Sequence, residues 1–311
     1  MMPIAFLFPG QGSQAVGMGK AFYEASPAAK AVFEEANDVL GLDLTRLAFE
    51  GPEADLALTA NTQPAVLAVS VAAAAVCAER GLTPRLAAGH SLGEYSALVV
   101  AGALAFRDAV RIVRRRGEFM QAAVPVRVGA MAAIMGLELP AVEAVCAEAA
   151  QGEVAEIANV NSPLQIVVAG HRAAVERAVT LANARGGRKS VVLPVSAPFH
   201  CRLMAPAAER LAGEFAGLAL ADPRIPVMRN VDGGVTRTAA EVKPALLRQV
   251  ASPVRWTDCV RGLATEGART FVEVGPGRVL TGLLKRILDG ARGYAVEDPA
   301  SLDKVVVEVG T

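Results

Sequence analysis

Five residues constrain this chain more than any others: Gly89-His90-Ser91-Leu92-Gly93. A short apolar run, Leu86–Gly89, leads into them, and an apolar helical pattern starts at about Leu92. A serine between strand and helix, with glycine two residues to either side, has the spacing of a nucleophile elbow. The turn is so tight that the residues two away must lack bulk, and the serine takes a strained backbone conformation. The helix that follows turns its first N–H groups toward an oxyanion formed at the serine. A chance Gly-Ser-Gly turn is the competing reading in a chain with 29 glycines. The strand before and the helix after favour the elbow.

Strand-like and helix-like runs alternate along the chain, the pattern of an α/β fold. Ile4–Phe8 reads as a buried first strand running into Pro9-Gly10-Gln11-Gly12. Helical patterns cover about 17–40, 64–80 and 107–120, the second ended by Gly81. From about 127 to 197 the order is strand (129–135), helix (139–150), strand (154–160), strand (164–169), helix (171–185), strand (189–195). That β-α-β-β-α-β order predicts a ferredoxin-like unit. Asn161-Ser162-Pro163 turns its central hairpin. Thr270–Val274, the turn Gly275-Pro276-Gly277 and a helix over about 278–288 then complete the larger part. The expected architecture is a large α/β domain, 1–126 and 198–311, with a parallel sheet, carrying a small α+β subdomain at 127–197. Its 53% apolar residues, only 5% of the chain being aromatic, suit Ala/Val/Leu helices packed on a buried parallel sheet. A cleft between two such parts is a usual place for a substrate.

A nucleophilic serine needs a base, and the chain has 3 histidines. His90 adjoins Ser91, so on the elbow its side chain points away from the nucleophile. His171 falls at the predicted start of a helix in the small subdomain, where a solvated surface role is expected. His200 lies where the chain re-enters the large domain, and elimination favours it as general base.

One arginine is out of phase with its neighbours. At ~100° per residue, with Arg107 at zero, Arg111 falls near ~40°, Arg114 near ~340° and Arg115 near ~80°, a solvated stripe. Arg116 falls near ~180°, among Ala109, Ile112, Val113, Phe119 and Met120. A guanidinium on an apolar face needs a partner, because an unpaired buried charge is costly. Two partners fit: a structural carboxylate, or a substrate carboxylate gripped bidentately. An early break at Gly117 would remove only Phe119 and Met120 from that face.

Other function classes are weakened. The turn at Gly10-Gln11-Gly12 follows a strand, but Ala15 stands where a dinucleotide fingerprint needs its third glycine, and no Gly-Lys-Ser/Thr follows. With 31 Lys+Arg against 31 Asp+Glu the net charge is +0, which gives no general attraction for nucleic acid or anionic lipid. The longest uncharged apolar stretches, 64–78 and 96–106, fall short of the ~20 residues of a spanning helix. Cys77, Cys146, Cys201 and Cys259 form no CxxC pair and read as small core residues of a reduced, cytoplasmic protein.

These residues resemble a known family. Phe8-Pro9-Gly10-Gln11-Gly12-Ser13-Gln14, Gly89-His90-Ser91-Leu92-Gly93-Glu94-Tyr95-Ser96-Ala97 and Arg116-Gly117 before Phe119-Met120-Gln121 stand in order. Gly129-Ala130-Met131-Ala132-Ala133, Asn161-Ser162-Pro163, Val195-Ser196-Ala197-Pro198-Phe199-His200, Gln249 ahead of Pro253-Val254, and Glu273-Val274-Gly275-Pro276-Gly277 follow. Together they resemble the malonyl-CoA:acyl carrier protein transacylases and the acyltransferase domains of fatty-acid and polyketide synthases, over nearly the whole chain. The resemblance implies a hydrolase-like large domain with a ferredoxin-like insertion.

It also implies roles. Ser91 takes the acyl group from CoA as an ester, and His200 serves as base, then acid. The backbone N–H groups of Gln11 and Leu92 form the oxyanion hole. Arg116 holds the malonyl carboxylate, and Gln249 orients His200 through a carbonyl in place of a triad acid. Phe199 before the histidine and Leu92 after the serine fit malonyl rather than methylmalonyl use, a discrimination of about 1–3 kcal/mol per methyl. The implied partners are malonyl-CoA and acyl carrier protein, with neither nucleic acid nor membrane. A monomer is expected, with no metal and no cofactor beyond the CoA thioester. Arg111, Arg114, Arg115, Lys189, Lys285 and Arg286 are candidate contacts for an acidic carrier protein. A serine thioesterase fits less well, since hydrolases run Ser, acid, His, and Asp108 is the only aspartate between Ser91 and His200. A noncatalytic binding module would need no Arg116 opposite a nucleophile.

Overall fold

A computed structural model describes residues 3–195 and 197–310. Ser196, within the run quoted before His200, lies outside them. The strands in chain order are β1 (Ile4–Phe8), β2 (Leu86–Gly89), β3 (Gly129–Met135), β4 (Ala155–Ser162), β5 (Gln165–His171), β6 (Val191–Val192), β7 (Val227–Met228), β8 (Val235–Thr236), β9 (Thr270–Val274) and β10 (Arg292–Val296). They form two sheets, ordered β10-β9-β1-β2-β7-β8 and β4-β5-β3-β6. In the first, every pair from β10 to β7 is parallel, and only the edge pair β7–β8 is antiparallel.

The centre of the large sheet shows why β1 reads as an unbroken apolar run. Ile4, Phe6 and Phe8 face one hydrophobic cluster, while Ala5 and Leu7 face another on the opposite side. A strand covered on both faces loses the polar half of its alternation. The carboxyl ends of β1 and β2 lie side by side, in register from Ala5 with Leu86 to Phe8 with Gly89. That edge is where open α/β sheets place their ligands.

The second sheet has the pairing of a ferredoxin-like unit: β3 lies between β5 and β6, and β5 between β3 and β4, all antiparallel. Ala130, Ala132 and Ile134 pack on Val142, Val145 and Ala149 of the Leu139–Ala150 helix and on Ala174, Val175 and Ala178 of the Arg172–Ala184 helix. The last strand is shorter than the pattern at 189–195 predicts. Backbone bonds also leave this sheet: Val160 N–H donates to Val254 at 2.9 Å and Val254 N–H to Ala158 at 2.9 Å.

Several helices depart from their sequence reading. The pattern at 17–40 is two helices, Lys20–Ala25 and Pro27–Leu40. Ser26 interrupts it as an N-cap, accepting from Ala28 and Ala29 N–H, with Pro27 at the first helical position. The helix predicted at 64–80 begins at Thr59, before Pro64, and runs to Glu79. Its 21 residues are long and apolar enough to cross a membrane by length and composition, yet 78% of the apolar window is buried inside the protein. That corrects the reading of 64–78 as too short, and an all-round apolar core helix is the physical reason for it. The helix Phe106–Ala122 passes through Gly117 without a break. A Cβ on Gly117 would lie 2.7 Å from Ala60 Cα and Thr59 O, so this glycine lets two helices touch.

Candidate active site

The elbow is built by close backbone contact. Ser91 has φ 52, in the left-handed region. A Cβ at position 89 would stand 1.8 Å from the Gly93 carbonyl carbon, and one at position 93 would stand 2.1 Å from Phe8 O. No side chain fits at either place. We expect Gly89→Ala to destabilise the fold by about 3 kcal/mol or more, because the obstruction is backbone. A thermal melt checks this, and a wild-type melting point would contradict the contact. Gly10 presses on the same turn, its missing Cβ 2.4 Å from His90 O. The Gln11 turn and the start of the Gly93–Val100 helix at Leu92 therefore meet beside the serine.

His200 reaches Ser91 from a separate segment, after β6, and itself has φ 62. Its Nε2 lies 2.8 Å from Ser91 Oγ, and its Nδ1 lies 2.9 Å from the backbone oxygen of Gln249. A carbonyl can only accept, so Nδ1 carries the proton and Nε2 presents its lone pair to the hydroxyl. Burial and the nearby Arg116 charge lower the imidazole pKa to about 3, outweighing the Gln249 bond that raises it. The base is thus neutral at working pH. Acyl-enzyme formation from acetyl-CoA is expected to stay within about threefold between pH 8 and pH 5, where an ordinary imidazole would already be mostly protonated. A rate falling through pH 6.5 would contradict this.

Arg116 is 2% exposed on the Phe106–Ala122 helix, as its phase predicts. Its acceptors are neutral: Gln63 Oε1 at 2.9 Å, Gln249 Oε1 at 2.8 Å and Ser91 Oγ at 3.1 Å. Of the two partners open to it, the structural carboxylate is not what it bonds. Burial holds its pKa below the usual arginine value. The arrangement places a desolvated cation 3.1 Å from a nucleophile, with no carboxylate bonded to it among the described residues.

The remaining expectations sort as follows. Gln249 is buried, and its main chain orients His200 while its side chain serves Arg116. Phe199 is buried in the main core next to the histidine. Gln11 is exposed, and its amide donates to Thr59 Oγ1 at 3.2 Å. His90 turns away from the nucleophile, to Asn161 Oδ1 at 2.8 Å and toward the Trp256 ring. His171 corrects its solvated reading, because its Nδ1 accepts from Val154 N–H at 2.9 Å. Arg114 leaves the solvated stripe to bond Ala60 O, Asn61 and Glu118, and Arg115 pairs with Glu118 and Glu214. Lys189 and Arg286, by contrast, line an open cavity of about 520 Å³ with Arg188, Leu164 and Pro163.

Sequence reasoning missed Gln63, Glu94 and Asn230. Glu94 Oε2 accepts from Gln249 Nε2 at 2.7 Å and from Asn230 N–H at 3.0 Å, and burial pushes its pKa up to about 7. A lone carboxylate inside the apolar run after the elbow was the available signal. Asn230, fully buried, reaches the elbow from the segment after β7.

Residues 5–302 match the acyl transferase domain family. The chain is 47% identical to the malonyl CoA-acyl carrier protein transacylase of Bacillus subtilis over 307 residues, 98% of this chain and 97% of that one. An acyl carrier protein S-malonyltransferase structure from Vibrio cholerae superposes with a TM-score of 0.95 at 51% identity, over 97% of this chain and 99% of that one. A malonyl-transacylase solved in complex with a type II PKS acyl-carrier protein superposes with a TM-score of 0.96 at 46% identity, over 98% and 99%.

Proposed function

The chain belongs to the acyl transferase domain family, and from that premise we propose that it moves a malonyl group from malonyl-CoA to the phosphopantetheine thiol of acyl carrier protein. It is an [acyl-carrier-protein] S-malonyltransferase of fatty-acid synthesis, the chemistry also used in polyketide assembly. The observation that carries the substrate class is Arg116: a buried guanidinium held by neutral oxygens, 3.1 Å from Ser91 Oγ. A cation so placed gains most from an acyl group that ends in a carboxylate.

Ser91 Oγ attacks the thioester carbonyl as its proton passes to His200 Nε2. The oxyanion is held by the N–H groups of Leu92 and Gln11. Collapse expels CoA thiolate, which takes the proton from His200. In the second half the carrier thiol gives its proton to His200 and attacks the ester, and Ser91 Oγ leaves, taking that proton back from His200. A carbonyl orients the imidazole here, and it stabilises imidazolium less than a carboxylate does. Thiolate is a good leaving group, so the neutral orienter suffices, and these steps use no cofactor besides the thioester. Phe199 and Leu92 restrict the space beside an α-carbon, which disfavours methylmalonyl.

The same reading treats 1–126 and 198–311 as a hydrolase-like unit and 127–197 as its insertion, supported by the two separate sheets. It places the enzyme in the cytosol, supported by the buried Thr59–Glu79 helix and four free buried cysteines. Lys189 and Arg286 at the open cavity are the better candidates for the carrier surface, since Arg111 and Arg115 already pair within the chain.

Intact mass after mixing with malonyl-CoA alone tests the proposal. A malonyl ester that persists, and moves to acyl carrier protein on its addition, is expected. Release of CoA and malonate with no adduct would instead indicate a hydrolase.

A further inference from the structure

The carboxamide of Asn230 copies a peptide group. Its Oδ1 accepts Ser91 N–H at 2.6 Å and its Nδ2 donates to Gly89 O at 2.8 Å. These are the backbone groups on either side of the elbow. The neighbouring strand cannot bond them itself, because β2 and β7 are in register only at Ala87 with Val227. Asn230, two residues past the end of β7, continues that ladder with a side chain instead. Its own N–H is tied to Glu94 Oε2, which also receives Gln249 Nε2.

We propose that Asn230 is a positioning residue for acyl transfer, holding the strained Ser91 backbone in register with His200 and keeping the Ser91 N–H out of the oxyanion hole. The inference rests on the assignment of Ser91 and His200 above. It follows that the oxyanion is left to donors beyond the serine itself. The effect is on the nucleophile and is blind to the acyl group, so it differs in kind from that of Arg116.

Two variants test it, each measured per folded molecule. Asn230→Ala is expected to lower kcat about 100-fold for malonyl-CoA and acetyl-CoA alike, with KM little changed, since a displacement of the order of 1 Å costs that much. Asn230→Asp keeps the shape and the acceptor, but it can donate to Gly89 O only while protonated. Glu94, Asp232, Arg116, Arg229 and the Cys259 thiol are the titratable or charged groups around it; the two carboxylates keep its proton bound to higher pH and the two arginines oppose them. The ratio of its rate to the wild-type rate should therefore fall as pH rises. The new carboxyl and Glu94 titrate as a coupled pair, so the fall is read across the whole range rather than at one pKa. An unchanged kcat in Asn230→Ala, or a ratio for Asn230→Asp that does not fall with pH, overturns the proposal. Should Asn230→Ala not fold, the isosteric Asn230→Asp profile decides alone. Ser91→Ala runs alongside: an acyl adduct surviving there would overturn the serine assignment itself, whereas wild-type behaviour of the Asn230 variants with no adduct there overturns only this inference.

Discussion

Ser91→Ala is expected to carry no acyl adduct and to lose about 10⁴-fold or more in transfer rate, the scale seen when a serine nucleophile is removed. The fold should survive, since Ser91 is only partly buried and its elbow is defined by Gly89, Gly93 and the Asn230 bonds. Serine and alanine carry the same Cβ at φ 52, so the backbone strain is unchanged and a melting point close to wild type is expected. Intact mass after incubation with malonyl-CoA reads the first effect and a thermal melt the second. A stable adduct on the alanine variant would remove Ser91 from the mechanism.

Arg116→Ala separates substrates. The pairing of a buried guanidinium with a carboxylate is worth several kcal/mol to whichever partner is left behind. Transfer from malonyl-CoA should therefore fall about 10²- to 10³-fold, while acetyl-CoA, which brings no carboxylate, should gain relative to it. The same change removes a positive charge that lowers the His200 pKa. The pH profile with acetyl-CoA should thus acquire a fall on the acid side at higher pH than in the wild type. Equal losses for the two acyl groups would reject the carboxylate role. Unlike a surface ion pair, this cation is not there for stability: its acceptors are neutral amides and a hydroxyl, so its removal relieves a desolvated charge as well as opening a cavity.

How much of this was legible in the sequence depends on what kind of contact carries the information. The elbow is local: five residues, a strand and a helix, with glycines whose necessity follows from the turn itself. Arg116 is nearly as local, because helical phase alone sets it against Ile112 and Val113. The ferredoxin-like order was readable for the same reason, each element having its own period. The network around the nucleophile was not. Asn230 lies 139 residues from Ser91 and Gln249 lies 155 from Glu94, and each bonds through an amide or a backbone group that leaves no pattern. Asn230-Val231-Asp232-Gly233-Gly234 reads as an ordinary turn. Between His200 and β9 the helices Ala205–Glu214, Ala239–Val250 and Trp256–Thr265 carry no comparable motif, although Thr238 and Glu241 form a capping box ahead of Gln249. Neither Pro299–Val309 nor β10 was anticipated, since both follow the last recognisable motif.

The two backbone bonds between β4 and Val254 have a mechanical meaning. They stitch the outer strand of the small sheet to the chain just beyond Gln249, and His90 adds a second stitch from the elbow to Asn161. A jaw that swung open to admit each substrate would have to tear both. Separating the two sheets at this point therefore breaks three hydrogen bonds at once. CoA and carrier protein both present their sulfur at the end of the same long, flexible arm, so the reach to Ser91 can be supplied by the substrate.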